Sequence, residues 1–79
     1  MNVLVDARGL PPPEPFERAM EALADLSPGD ILTVTLDRVP WPLFRILERD
    51  GHGFEWHDDG RGTVAVRIAA AGSELPEDD

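Results

Sequence analysis

The sequence predicts an α/β (α+β) two-layer sandwich with the element order β-α-β-α-β-β, in which a four-stranded mixed sheet carries two helices on one face. Three observations predict this fold. The chain has 79 residues, 42% of them hydrophobic and 29% charged, as expected for one globular domain. Two stretches with apolar residues at helical spacing alternate with β-branched stretches. The last two β-type stretches are separated only by a short turn.

The first strand and the first helix are separated by a proline-rich loop. Residues 3–5 form an apolar run that predicts a short strand. Prolines dominate residues 11–15, where they force an extended backbone and then permit a helix to begin, because proline suits only the first turn of a helix. The helix should end at Pro28 and Gly29. Its apolar face consists of Phe16, Ala19, Met20, Leu23 and Leu26.

The second strand and the second helix repeat this arrangement. Residues 31–36 are rich in β-branched side chains, and their alternate apolar members should face the first helix. After a proline-bounded loop over residues 37–42, apolar residues at helical spacing predict a second helix over residues 43–50, which Gly51 ends. A right-handed crossover places the second strand parallel to the first.

A hairpin and a tail complete the predicted domain. Residues 54–57 alternate between aromatic and polar side chains, which predicts a half-buried third strand. A turn over residues 58–62 leads to a fourth strand over residues 63–68. We expect a single domain over residues 1–69, followed by a flexible acidic tail over residues 70–79, which has too little apolar surface to offset the entropy of ordering it.

The charge balance argues against polyanionic partners. Sixteen acidic residues against seven arginines give a formal net charge of −9, and the arginines are scattered along the chain. Nucleic acids and anionic membranes both require clustered basic residues, so neither is an expected partner. No run approaches the ~20 apolar residues that span a bilayer, and the N-terminus lacks the pattern of a secretion signal. The sequence predicts a cytoplasmic monomer.

The residue inventory leaves little room for catalysis. The chain contains no cysteine and no lysine, which excludes thiol and lysine covalent chemistry of its own. No serine or threonine lies in a nucleophile-elbow setting, and no glycine-rich phosphate loop is present. We therefore expect a protein that is not an enzyme and that holds no cofactor.

Four short motifs carry a resemblance to a known superfamily. They stand before, within and after the first helix: Val5-Asp6, Gly9-Leu10, Pro12-Pro13-Glu14-Pro15 and Pro28-Gly29-Asp30. In this order they resemble the signature of the TusA/SirA-like sulfur-carrier proteins, whose helix opens on a Cys-Pro-x-Pro motif. The resemblance covers roughly residues 3–68 and implies the same fold.

The chemistry of the carriers depends on a cysteine that this chain lacks. Pro12 stands at its position, so the persulfide of the carriers cannot form here. The segment Pro40-Trp41-Pro42-Leu43 is similar to an uncharacterised, cysteine-less bacterial branch of the superfamily. That resemblance implies a small adaptor-like domain, or an accessory component of sulfur transfer or of nitrogen-oxide and redox metabolism.

Two proline loops are the candidate partner-binding surface. Each lies before a helix, and parallel helices on one face of the sheet would bring the loops together. Preorganised proline backbone lowers the entropy cost of binding, and tryptophan is enriched at interface hot spots. Alternatively, the loops serve only as rigid helix starts and the tryptophan as a core residue. The candidate residues are Leu10, Pro11, Pro12, Pro13, Pro40 and Trp41.

A metal or small-ligand site in the hairpin is the alternative. His52 and His57 lie near three carboxylates, and imidazole with carboxylate oxygen suits several divalent metals. The spacing matches no recognised metal motif, however, and a solvated hairpin accounts for the same residues. The carboxylates are Glu55, Asp58 and Asp59.

Overall fold

The computed structural model describes residues 1–76, which form four strands and two helices in the predicted order. The strands are β1 (Asn2–Asp6), β2 (Ile31–Leu36), β3 (His52–Asp58) and β4 (Val64–Ala71). The helices are α1 (Glu14–Ala24) and α2 (Trp41–Arg49). The predicted fold class is confirmed.

The strands form one mixed sheet in the order β1-β2-β4-β3. β1 runs parallel to β2, as the crossover through α1 requires, and β4 pairs antiparallel with both β2 and β3. β2 and β4 are therefore central, and β1 and β3 are the two edges. This order places the carboxyl ends of β1 and β2 side by side, next to the N-termini of both helices.

The core lies between the helices and one face of the sheet. Alternate residues of β2 and β4 point into it, which confirms the predicted alternation. The opposite face has no helix on it, and Leu4 there is 79% exposed. The buried core side chains include Leu32, Val34, Leu36, Val64, Val66 and Ile68 from the sheet, with Ala19, Leu43, Phe44 and Leu47 from the helices.

The second helix begins earlier than its apolar spacing predicts. Trp41 is its first residue, and Pro42 lies in the first turn, where the missing N–H is not needed. The prolines therefore start the helix instead of delaying it. Trp41 consequently belongs to α2 and not to the preceding loop. The predicted end at Gly51 holds, since Gly51 has a φ of +78° just after the helix.

The fourth strand is longer than predicted. β4 continues to Ala71, and Ala69 and Ala70 are buried, because small side chains fit where the chain passes close to the start of β3. A Cβ at Gly53 would lie 3.2 Å from the carbonyl oxygen of Ser73, so the segment after β4 crosses close to β3. The predicted tail over residues 70–79 thus begins inside a strand, and residues 77–79 lie outside the described residues.

Candidate partner-binding groove

A groove opens where the parallel strands end and the two helices begin. Its volume is about 260 Å³. The carboxyl ends of parallel strands are a common place for ligands in α/β sheets, because the loops there diverge toward different elements. Apolar side chains make up most of the wall, and Asp37 and Arg38 add charge. The apolar residues are Leu10, Pro12, Pro15, Leu36, Val39 and Pro40.

Two hydrogen bonds fix one wall of the groove to the other. The N–H of Gly9 donates to Oδ2 of Asp37 at 2.7 Å, which joins the loop after β1 to the loop after β2. The N–H of Ala7 donates to the carbonyl oxygen of Thr35 at 2.8 Å and extends the parallel ladder into the loop. Ala7 is fully buried. The loops that follow β1 and β2 are therefore fixed to each other at the groove.

Asp6 and Arg8 form a bidentate ion pair beside the groove. The Nε and Nη2 atoms of Arg8 each donate to a carboxylate oxygen of Asp6 at 2.9 Å, and the Arg8 backbone N–H donates to Oδ1 at 3.1 Å. These side-chain and backbone hydrogen bonds lower the pKa of Asp6 from 3.8 to about 2. Both side chains are solvent-exposed, so the pair shapes the loop and contributes little to stability.

This pair predicts an acid-sensitive contribution to folding. Because the pKa of Asp6 is lower in the folded state, its contribution is present above about pH 4 and is lost as the pH falls toward 2. Asp6→Asn should therefore reduce the slope of unfolding free energy against pH in that interval. Arg8→Gln should reduce the same slope, because it removes the guanidinium group, its positive charge and its two hydrogen bonds to Asp6. Denaturant titrations at several pH values measure this, and an unchanged slope in Asp6→Asn contradicts it.

The N-terminus of α1 is not an open anion site. Pro13 is the N-cap residue and makes no side-chain capping hydrogen bond. The N–H groups of Glu14 and Glu17 already have acceptors, because they donate to the carbonyl oxygens of Pro11 and Pro13 at 3.0 and 3.1 Å. Both glutamates also add negative charge in the first turn, where it complements the helix dipole. The groove therefore suits apolar groups better than a phosphate.

Three of the six predicted partner-binding residues line the groove, and the other three do not. Leu10, Pro12 and Pro40 line the groove, although they come from different loops. Pro11 and Pro13 shape the first loop through their carbonyl oxygens. Trp41 does not line the groove and lies against Trp56 of β3. Sequence reasoning missed the groove residues that come from the first turn of α1, the end of β2 and the loop after β2, because only the strand topology brings them together. They are Pro15, Leu36, Asp37, Arg38 and Val39.

Comparison with known proteins identifies the domain. A family model described as "Uncharacterized conserved protein (DUF2249)" matches residues 4–70. The chain belongs to the DUF2249 family. The crystal structure of a SirA-like protein from Desulfitobacterium hafniense is similar to this DUF2249 domain, with a TM-score of 0.75 and 32% identity over 90% of this chain and 99% of that one. No curated protein matches the chain. The predicted resemblance to SirA-like proteins is confirmed.

Four aromatic side chains of the DUF2249 domain form a cluster between α2 and β3. Phe44 is 4% exposed and stacks on Phe54 at a centroid distance of 5.1 Å. Trp41 and Trp56 meet edge to face at 5.6 Å and each lies 5.5 Å from Phe44. Both tryptophans remain accessible, at 59% and 40% exposure. The cluster thus has a buried phenylalanine side and a solvent-facing tryptophan side.

The two histidines do not form a ligand set. His52 lies at the start of β3, and its Nδ1 atom is 2.8 Å from the carbonyl oxygen of Ala69. His57 lies five residues further along β3, opposite Ala65. Within residues 1–76, no three or more histidine, aspartate or glutamate side chains are grouped to hold a metal ion. No helix in that part of the DUF2249 domain is long and apolar enough to cross a membrane.

Proposed function

We propose that this DUF2249 domain is a non-catalytic adaptor that binds a protein partner in the groove between its two proline loops. The observation that carries the proposal is that Leu10, Pro12 and Pro40 line one groove although they belong to separate loops. The hydrogen bond from Gly9 to Asp37 joins those loops, so the surface is preorganised. Preorganisation favours binding because less entropy is lost when the partner docks.

The size and lining of the groove favour a peptide side chain over a cofactor. Its volume of about 260 Å³ lies below the range typical of small-molecule pockets. Pro12 leaves no sulfur nucleophile at the position where the sulfur carriers have cysteine. An apolar side chain of a partner can fill such a groove without covalent chemistry. We therefore expect the partner to insert one or two apolar residues.

The negative net charge of the chain favours a basic partner. The chain carries a formal net charge of −9, which steers basic proteins toward it and slows the approach of acidic proteins and nucleic acids. Arg38 is the only cation among the residues that line the groove within residues 1–76. A partner with an apolar residue flanked by lysine or arginine fits this surface. We place the interaction in the cytoplasm.

Matched leucine substitutions test the adaptor function. Leu10→Glu introduces a charge into the groove, whereas Leu4→Glu introduces the same charge on the helix-free face, where Leu4 is 79% exposed. Wild-type protein and both variants serve as baits for capture from the native host, and a retained protein is then purified. We expect Leu10→Glu to weaken binding of that protein by about tenfold or more in calorimetry, because truncations or charges at hot spots cost this much.

Leu4→Glu should bind as the wild type does, and circular dichroism should show that both variants are folded. If a folded Leu10→Glu variant binds every captured partner with wild-type affinity, the groove is not the binding surface.

A further inference from the structure

The edge strand β3 leaves its outer side free along an aromatic surface. β3 pairs only with β4 among the strands of residues 1–76. It is seven residues long, contains no proline or lysine, and carries Trp56 at 40% exposure. Edge strands can pair with another strand, and soluble proteins usually limit this with charges, prolines or short length. β3 carries charges at Glu55 and Asp58, so a strand that pairs with it must match them. Trp41 beside it is 59% exposed, so the patch is also apolar.

The residues of β3 are complementary to a second copy of themselves. Glu55 and His57 flank Trp56 and lie on the helix-free face, opposite Arg67 and Ala65 of β4. If two β3 strands pair antiparallel about a two-fold axis at Trp56, Glu55 of each copy lies opposite His57 of the other. Residues directly opposite each other on one face interact, and a carboxylate there can accept a hydrogen bond from an imidazole N–H. Glu55 forms an ion pair with Arg67 of its own chain. In the dimer, His57 of the second copy would lie on the other side of Glu55.

We propose that this chain forms a homodimer in which β3 pairs antiparallel with β3 of a second copy, with Trp56 on the two-fold axis. The alternative register, centred on Glu55, is disfavoured because it places two carboxylates directly opposite each other. The dimer joins two four-stranded sheets into one of eight strands. On the helix side it brings the two Trp56 side chains together, each with Trp41 beside it, and so reduces the exposure of this apolar patch.

The segment after β4 in the same chain limits how many residues of β3 can pair with a second copy. The segment from Ser73 to Leu75 passes over Gly53, so pairing is free from Phe54 to Asp58. A ladder this short buries less area than a permanent dimer needs, and the two copies repel each other with a charge of −9 each. In place of the monomer expected from the sequence, we therefore expect a reversible dimer with a dissociation constant in the micromolar range. No residue of β3 lines the partner-binding groove, so the shared ladder does not use the residues of the groove.

Sedimentation equilibrium over a concentration series tests the dimer. Wild-type protein should show a monomer–dimer equilibrium, and Trp56→Ala should raise the dissociation constant by about tenfold or more. Leu4→Ala removes an exposed apolar side chain from the opposite edge strand, β1, and should leave the equilibrium unchanged. A wild-type protein that remains monomeric up to about 1 mM overturns the proposal.

If Trp56→Ala fails to fold, a charge variant of β3 tests the same interface. His57→Glu places a glutamate opposite Glu55 of the second copy and should weaken the dimer severalfold. Asn2→Asp makes the same change in charge on β1 and should not. Equal dissociation constants for these two variants would place the interface elsewhere.

Disulfide formation tests the register, because the chain has no cysteine of its own. In the proposed register, a mixture of Glu55→Cys and His57→Cys proteins should form a mixed disulfide, since directly opposite residues lie within about 5.5 Å and diagonal ones at about 7–8 Å. Predominant crosslinking of Glu55→Cys with itself would centre the interface on Glu55 and overturn the register. Binding to a groove partner is measured separately, so failure of the dimer and failure of the adaptor function are distinguishable.

Discussion

Replacing Leu32 by alanine is expected to lower the free energy of unfolding by about 3 kcal/mol. Leu32 is fully buried on the central strand β2, between Val3 of β1 and Ile68 of β4. Leucine-to-alanine changes in close-packed cores cost about 2–5 kcal/mol, because the transfer free energy of the methyl groups is lost and a cavity remains. A domain of this size has a total stability of about 4–12 kcal/mol, so the variant loses a large share of it.

Leu4→Ala is the matched control for Leu32→Ala. The chemical change is identical, but Leu4 is 79% exposed on the helix-free face, so its cost should stay below about 0.5 kcal/mol. Urea titrations followed by circular dichroism measure both values. Equal losses in the two variants would mean that Leu32 does not lie in the core.

Replacing Phe44 by alanine is expected to lower the free energy of unfolding by about 3–4 kcal/mol. Phe44 is 4% exposed and contacts three aromatic rings, those of Trp41, Phe54 and Trp56. Phenylalanine-to-alanine changes in cores cost about 3–5 kcal/mol, and aromatic pairs add to area burial. Because α2 contacts the sheet through this cluster, the near-ultraviolet circular dichroism of the tryptophans should also weaken.

Trp41→Ala separates the buried and exposed sides of the same cluster. Trp41 touches Phe44 and Trp56 but is 59% exposed, so its removal should cost only about 1 kcal/mol. The measurement is made at protein concentrations below the dimer dissociation constant, which removes the contribution of self-association. A loss in Trp41→Ala as large as that in Phe44→Ala would contradict the assignment of Phe44 as the centre of the cluster.

Most of the fold could be predicted because its signals are local. The apolar spacing of α1 and the alternation along β2 each arise from the geometry of a single element, and the structure confirms both. The start of α2 could not be predicted from periodicity. Its first two residues, Trp41 and Pro42, carry no helical spacing with what precedes them. The end of β4 was missed because Ala69 and Ala70 resemble a small-residue tail until their neighbours are known.

The candidate groove was predictable only in part, for a topological reason. The prolines indicate two rigid loops, and the crossover rule brings those loops together. Leu36 and Val39, however, join the groove only because β2 ends beside the loop that follows β1. The sequence cannot indicate that Trp56 lies against Trp41, since one residue is on a helix and the other on the edge strand. Such contacts depend on strand order, which no single segment encodes.

The position of β2 between β1 and β4 has a consequence for synthesis of the chain on the ribosome. β2 cannot acquire its second neighbour until β4, which ends at Ala71, has left the exit tunnel. Until then the edge of a β-branched strand is exposed, and such edges favour aggregation of nascent chains. α1, the helix that packs against β2, is complete before this happens and can cover the apolar face of β2 early. The order of elements thus shields the most vulnerable strand during the interval before its hydrogen bonds are complete.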